Sequence, residues 1–217
     1  MVDQPVIDII IPNFNKAKYL EECLNSIISQ TYKKWKIYLI DDNSNDNSHK
    51  ILKKYEKFNN IKIYNLKENK GPSYCRNYGI KESNSQFIAF MDSDDLWPKD
   101  KLEIQIKNMI KNNLNFTFTD FKFFFNDDFN KVKKTNLPSF YDYKSFLSHS
   151  SMSTSSILIN RNLLKDIYFK KVNHEDYLFK CDLLKTGIKA FKITETSVFY
   201  RINKTSRSSN KFKNILS

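Results

Sequence analysis

The chain has 217 residues and carries 36 Lys and Arg against 24 Asp and Glu, a net charge of +12. With 40% hydrophobic and 15% aromatic residues it can build the core of one globular domain, which excludes a disordered chain, and its 3 glycines and 5 prolines argue against a loop-dominated all-β fold. The excess of positive charge points to a nucleic acid, an anionic membrane surface or a phosphorylated substrate as partner. Cys23, Cys75 and Cys181 are odd in number and far apart. They form neither a disulfide framework nor a metal knuckle, so reduced thiols in a cytoplasmic protein are expected. No signal-peptide pattern opens the chain and no segment reaches transmembrane length, so any membrane is expected to be met from its cytoplasmic face.

Strand and helix patterns alternate through the first half. Val6–Ile11 is an apolar run closed by Pro12, and Leu20, Cys23, Leu24, Ile27 and Ile28 follow at helical spacing. Lys36–Ile40 reads as a second strand ending at Asp41-Asp42, with Asp46 as N-cap of a helix reaching about Phe58. Ile61–Leu66 is a third strand, Pro72–Lys81 a helix opened by Gly71-Pro72, Gln86–Met91 a fourth strand and Lys99–Lys111 a fourth helix. This alternation predicts a parallel sheet with covering helices, a Rossmann-like half.

The second half is less regular. Phe116–Phe125 reads as a strand, forming a hairpin across the Asn126-Asp127-Asp128 turn; Tyr141–Leu147 reads as a short helix and Ser155–Ile159 as a strand. Glu175–Lys185 is helical and ends at Gly187, and Ile188–Ile193 and Ser197–Ile202 read as two closing strands. No repeat and no linker divides the chain. The expected organisation is a single domain over 1–217, with 1–112 and 113–202 as its two halves and a basic tail over 203–217.

The chemistry concentrates where Phe87-Ile88-Ala89-Phe90-Met91 stops at Asp92-Ser93-Asp94-Asp95. Three clustered carboxylates repel one another and resist desolvation unless a cation sits among them. Their hard oxygens suit Mg²⁺ or Mn²⁺, usually shared with a substrate's phosphates. Ligands bind at such strand ends in open α/β sheets. The plainer reading is a solvated turn in which Asp95 caps a helix starting near Pro98. Two more clusters end strands, Pro12-Asn13-Phe14-Asn15 and Asp41-Asp42-Asn43-Ser44-Asn45-Asp46. Adjacent parallel strands would bring Phe14, a stacking face, beside Asp42, an acceptor for a nucleobase imide; the plainer reading is an Asn- and Asp-rich turn. No glycine-rich dinucleotide loop and no P-loop occurs, so a bound diphosphate would need a metal.

These segments, in order and spacing with Ser29-Gln30-Thr31-Tyr32, Gly71-Pro72-Ser73-Tyr74-Cys75-Arg76-Asn77 and Leu96-Trp97, resemble the family 2 inverting glycosyltransferases. The resemblance implies a GT-A fold: a Rossmann-like, mostly parallel central sheet flanked by helices, with a smaller mixed region on the acceptor side. It implies a nucleotide-sugar half over 1–112 and an acceptor-binding half over 113–202. It further implies that Pro12, Phe14, Asp42, Arg76, Asp92 and Ser93 bind the donor, with Asp42 reading the base, Asp92 on the ribose and Arg76 near the sugar or phosphates. Asp94 is then the ligand of Mn²⁺ or Mg²⁺ on the diphosphate. The plain alternative for Arg76 is a surface helix arginine.

His174-Glu175-Asp176-Tyr177-Leu178 stands where the family has its Glu-Asp pair, which makes Asp176 the general base. Single displacement from a UDP-sugar, or a guanine or thymidine donor, to a hydroxyl of a glycan or lipid-linked acceptor inverts the anomeric centre. Its helix-dipole role is the plain alternative. Where relatives carry a metal-binding His after the last strand, this chain has Asn203, an oxygen ligand; His49, His149 and His174 are substitutes without further support. Bacterial surface-polysaccharide relatives often act on lipid-linked acceptors, and the resemblance implies the same here: Lys204, Arg207, Lys211 and Lys213, with Phe212 and Leu216, would draw the tail to the inner leaflet, the plain alternative being a solvated terminus whose charge only aids solubility. A nucleic-acid-binding protein, resting on the charge and on 18 Phe and 12 Tyr, and a nucleotidyltransferase are the rivals. The first lacks any recognised motif and the second its glycine-rich loop, so no nucleic-acid partner is expected.

Overall fold

Ile7, Ile9, Ile10 and Ile11 are buried on both faces of strand β1 (Ile7–Asn13), the continuous apolar run that a strand covered from both sides requires. The computed structural model describes residues 4–202 except 126, 127 and 150. Helix α1 (Ala17–Ile28) buries Leu20, Cys23, Leu24 and Ile27 and leads to β2 (Trp35–Asp41). Helix α2 (Ser48–Leu52), β3 (Ile61–Asn65), α3 (Pro72–Glu82), β4 (Phe87–Phe90) and α4 (Lys101–Lys111) complete the alternation. The remaining elements are β5 (Phe116–Phe125), β6 (Asp128–Lys134), β7 (Phe140–Tyr141), α5 (Tyr143–Ser148), β8 (Leu158–Asn160), α6 (Glu175–Lys185) and β9 (Ala190–Ile202), with 3₁₀ turns at Thr154–Ser156 and Arg161–Leu163.

Among the described residues one sheet runs β3-β2-β1-β4-β8-β5-β9-β7, with β6 on the free end of β5. β3, β2, β1 and β4 are parallel, and so are β5 and β9; β8 lies antiparallel between β4 and β5 and joins the two sets. The fold is therefore the α/β GT-A arrangement, a mostly parallel sheet flanked by helices. Helix α3 lies unusually close to the sheet. A Cβ on Gly79 would sit 2.6 Å from Ile10 Cγ2, so only glycine lets the helix down onto β1 and β2.

Several boundaries differ from the sequence pattern, each for a local reason. β1 continues through Pro12 to Asn13, because β4 stops pairing at Ile10, after Met91 N donates to Ile10 O (3.0 Å). The ring therefore replaces an N–H on the side where no ladder remains. The helix expected from Asp46 to Phe58 is only Ser48–Leu52. Beyond it, i→i−3 bonds tighten the chain and turn Tyr55 inward, where its hydroxyl donates to Asn25 Oδ1 at 3.0 Å. Tyr141 ends a strand instead of opening a helix; Asp142 caps α5 in a reciprocal box with Ser145.

Ser155 belongs to a 3₁₀ turn, and the strand starts only at Leu158. The two expected closing strands are one, β9, whose pairing with β5 jumps from Thr119–Ile193 to Asp120–Ser197 and leaves 194–196 bulged out. The β5–β6 hairpin is present, while residues 126 and 127 of its turn lie outside the described residues. The tail over 203–217, with Asn203, also lies outside them. Among the described residues no helix is long and apolar enough to cross a membrane.

Candidate active site

The carboxyl ends of β1, β2 and β4 meet as their pairing requires, with Asn13 opposite Asp41. The two adjacent acids of β2 serve different neighbours. Asp41 accepts from Asn13 Nδ2 (2.7 Å), Ser44 Oγ (2.7 Å) and Ser44 N (2.9 Å), which locks the ends of β1 and β2 together. Asn15 and Asn43 take the left-handed conformation (φ 52° and 59°), which asparagine tolerates better than most residues. Phe14 is thereby held out at the strand end, 44% exposed. The buried Asp42 accepts from Lys70 N (2.7 Å) and Gly71 N (2.8 Å), fastening the turn that opens α3. The Cys75 thiol is a further hydrogen-bond partner of the same carboxylate.

After β4 the chain makes the acidic loop. Asp92 Oδ1 accepts from Arg76 Nη2 at 2.8 Å, and Arg76 Nη1 reaches Glu175 Oε1 at 3.3 Å. Arg76 is buried, so its alternative as a surface arginine is set aside. Burial opposes its charge, yet Asp92, Glu175 and Asp176 together raise its pKa above the ordinary value. Its guanidinium also stacks on Phe169, 5.2 Å from the ring centre. Asp94 Oδ2 pairs with Lys16 Nζ at 2.5 Å, and Ser93 is buried.

Asp95 is not the cap of α4. It is buried, accepts from Ser155 Oγ (2.5 Å) and Arg201 N (3.0 Å), and is pushed up by desolvation and by Asp94 and Asp92. Gln30 takes the capping role: its Oε1 accepts from Leu102 N (3.0 Å) and its Nε2 donates to Pro98 O (2.7 Å). Leu96 and Phe199 exchange backbone bonds of 3.0 and 2.9 Å, tying the loop to β9.

Asp176 stands in the first turn of α6, whose N-cap His174 is left-handed (φ 60°). The loop before it is clamped by α3: Asn77 Nδ2 donates to Phe169 O (2.8 Å), Phe169 N donates to Asn77 Oδ1 (2.9 Å), and Ser73 Oγ donates to Lys170 O (3.0 Å). Phe169 stacks on Phe179 at 3.8 Å, and both meet Phe90 edge-on. The first turn of α6, with Asp176, and the acidic loop are thus anchored to one aromatic core. The charge of Lys180 holds the Asp176 carboxyl well below the usual carboxylate range, against the opposing effect of burial.

Sequence reasoning missed Lys16, Ser155 and Lys180. Lys180 was findable, four residues after Asp176 on one helix face. Lys16 and Ser155 carry no local signal, since their partners lie 78 and 60 residues away. All three cysteines are buried with raised pKa values, so none supplies a thiolate.

Among the described residues no group of three or more His, Cys, Asp or Glu side chains gathers as a metal cage. The donor set nevertheless fits Mg²⁺ or Mn²⁺. Asp92 and Asp94 offer hard, partly exposed oxygens, and such ions take their remaining ligands from phosphates and water. Lys16 already neutralises Asp94, so a cation there shares that carboxylate with one ammonium.

A mostly parallel sheet with an acidic loop at its carboxyl end is the arrangement of the GT-A fold. The family model for Glycosyl transferase family 2 matches residues 8–168, and the chain belongs to that family. It is 33% identical over 217 residues to an uncharacterized glycosyltransferase of Haemophilus influenzae, covering 99% of this chain and 86% of that one. It is 32% identical over 216 residues to the Escherichia coli UDP-Glc:alpha-D-GlcNAc-diphosphoundecaprenol beta-1,3-glucosyltransferase WfgD (99% and 84% covered). It is 31% identical over 212 residues to the putative teichuronic acid biosynthesis glycosyltransferase TuaG of Bacillus subtilis (97% and 84%).

Two solved structures share the fold. TarS 1-349 of S. aureus in complex with UDP-GlcNAc superposes with TM-score 0.79 at 23% identity, covering 94% of this chain. The mannosyltransferase PcManGT of Pyrobaculum calidifontis, in complex with GDP-Man and Mn²⁺, gives 0.75 at 16%, covering 98%. This chain spans only 60% and 61% of those two chains.

Proposed function

We propose that this glycosyltransferase moves a sugar from a nucleotide-diphosphate sugar, in the first place a UDP-sugar, to a hydroxyl of a glycan or lipid-linked glycan during assembly of a bacterial surface polysaccharide. One observation carries the reading: Arg76 bridges Asp92 of the acidic loop and Glu175, the neighbour of Asp176. The donor side (1–112) and the acceptor side (113–202) therefore share one buried cation. The names of WfgD and TarS, with UDP-Glc and UDP-GlcNAc, support uridine as the base.

In this reading Phe14 stacks on the base, Asp42 accepts its imide N–H, Pro12 and Ser93 border the donor, and Arg76 keeps Asp92 turned toward the ribose. When bound at Asp94, Mn²⁺ or Mg²⁺ supplies neutralisation of the diphosphate leaving group. Asp176 takes the acceptor hydroxyl's proton as that oxygen bonds to the anomeric carbon. The bond from that carbon to the diphosphate oxygen breaks, its electron pair leaves with the nucleotide, and the centre inverts. A lipid-linked acceptor implies work at the inner face of the membrane. The basic residues 204–213 would be drawn there by about 1 kcal/mol per charge near an anionic surface. Salt-sensitive sedimentation with anionic liposomes tests this placement.

The deciding experiment incubates purified protein with a panel of UDP-sugars, Mn²⁺ and diphosphoundecaprenol-linked sugar, and follows nucleotide release and product anomer by NMR. Acceptor-stimulated release of UDP with an inverted product is expected. Release that ignores the acceptor, or a retained anomer, overturns the reading. The aromatics that would make a nucleic-acid platform are mostly spent on the core, Phe90, Phe116, Phe118, Phe146 and Phe179 among them.

A further inference from the structure

Lys180 is an ammonium inside the protein, its side chain only 2% exposed, on the helix that carries the proposed base. It donates to Met152 O (2.7 Å), Thr154 Oγ1 (3.3 Å) and Asp176 Oδ2 (3.0 Å). Asp176 itself is open to solvent on its other side, 42% exposed. Thr154 Oγ1 also lies 3.5 Å from Oδ2, so both neighbours act on the same oxygen. The turn that Lys180 grips is the one whose Ser155 donates to Asp95 and accepts from Asp92 N (3.1 Å). Ser155 O in turn accepts from the indole of Trp97 (2.9 Å). A chain of buried and part-buried bonds thus runs from Asp176 through Lys180 and the turn to the acidic loop.

We propose that Lys180 is the positioning residue of the acceptor-side base: its buried ammonium holds one oxygen of Asp176, presents the other to the acceptor hydroxyl, and sets the base at a fixed distance from the donor loop. The inference rests on Asp176 being the base. An unpaired carboxylate on the first turn of a helix can rotate between staggered rotamers and point away from the site. A lysine four residues on, unable to leave its carbonyl and hydroxyl partners, removes that freedom. Misplacement of a reacting group by about 1 Å costs on the order of 10²-fold in rate.

The charges around Asp176 come from three sides. Lys180 and Glu175 lie on its own helix and Arg76 comes from α3, with Asp92 of the acidic loop beyond Arg76; the 3₁₀ turn contributes only the neutral Thr154. The two cations lower the carboxyl and Lys180 is the larger effect. A carboxyl depressed in the fold contributes stability that is complete above its unfolded value near ~3.9 and is lost only as pH falls through the folded value. The base therefore stays ionised throughout the neutral and mildly acidic range.

The test follows the Asp176 carboxyl by ¹³C NMR from pH 8 to pH 4 in the full chain, beside the pH profile of kcat. In the wild type no titration of Asp176 is expected above pH 4. In Lys180→Met the midpoint should rise by about one unit or more, because the nearest cation, the largest influence that lowers it, is then gone while Arg76 remains. There kcat should fall roughly ten- to a hundredfold, with KM for the UDP-sugar little changed. A role confined to packing predicts a lower Tm with an unmoved Asp176 midpoint and unmoved pH profile, and that result overturns the proposal. Should Lys180→Met not fold, the wild-type titration decides alone: a midpoint near the ordinary ~3.9, visible as partial protonation at pH 4, overturns it. Full transfer by Asp176→Asn would instead sink the assignment of the base, a separate outcome that leaves the titration interpretable.

Discussion

At the amino ends of β1 and β4, Asp8 is fully buried and accepts from Asn84 N (2.9 Å), Ser85 N (2.6 Å), Ser85 Oγ (2.8 Å) and Arg161 Nη2 (3.3 Å). Arg161, at the end of antiparallel β8, also donates to Ser85 O (2.7 Å), Ile80 O (3.1 Å) and Ser83 Oγ (2.6 Å). At the carboxyl ends of the same strands, Asp92 and Asp94 each have one cationic partner among the described residues and remain partly exposed. The first cluster saturates its carboxylate and closes it to water, which is how a buried charge becomes tolerable in a stable fold. The second leaves lone pairs and access for something else to complete. A sheet of parallel strands has two unlike ends: in this chain one is a clamp and the other carries the proposed site.

The contrast breaks first if Asp94→Asn is harmless. With the leaving group no longer neutralised, kcat should fall on the order of 10²- to 10³-fold or more, and EDTA should do the same to the wild type. The melting temperature should hardly move, since the lysine paired with Asp94 among the described residues is partly exposed. Rate assays beside thermal melts settle both halves, and unchanged activity in EDTA would end the metal assignment.

Asp8→Ala is the converse. It strands Arg161 and orphans two backbone N–H groups, so a loss of roughly 3 kcal/mol in chemical denaturation is expected. Turnover per folded molecule should stay near wild type; a large loss of turnover would show the two ends to be coupled. Gly79→Ala tests the seating of α3 between them. Its methyl would meet Ile10, and an overpacking cost of about 1–3 kcal/mol should appear, with weaker UDP binding because Arg76 rides on this helix and Gly71 caps it. Phe14→Ala should have the smallest effect. Loss of one stacking face is worth about 1 kcal/mol, a roughly fivefold weaker UDP affinity by calorimetry with no change in melting temperature. Equal UDP affinity in this variant would remove Phe14 from the base pocket.

The sequence by itself determined the alternation of β1 to α4, the helix over Glu175–Lys185 and the strand ends where the acids collect, because burial periodicity, Gly71-Pro72 and Gly187 are local signals read within a few residues. It also placed Phe14 and Asp42 at neighbouring strand ends, since adjacent parallel strands leave little choice. Only the tertiary structure decided which acid meets which cation. Asp41 and Asp42 are neighbours with the same side chain, yet one ties β1 to β2 and the other receives the turn before α3. Asp92, Asp94 and Asp95 go separately to Arg76, Lys16 and Ser155, partners 16, 78 and 60 residues away. The bulge at 194–196 was invisible for the same reason: it exists only because β5 and β9 pair in two registers. Periodicity reports which face of an element is buried. The partner of a buried charge is set by the packing of elements far apart in the chain, and no local pattern encodes it.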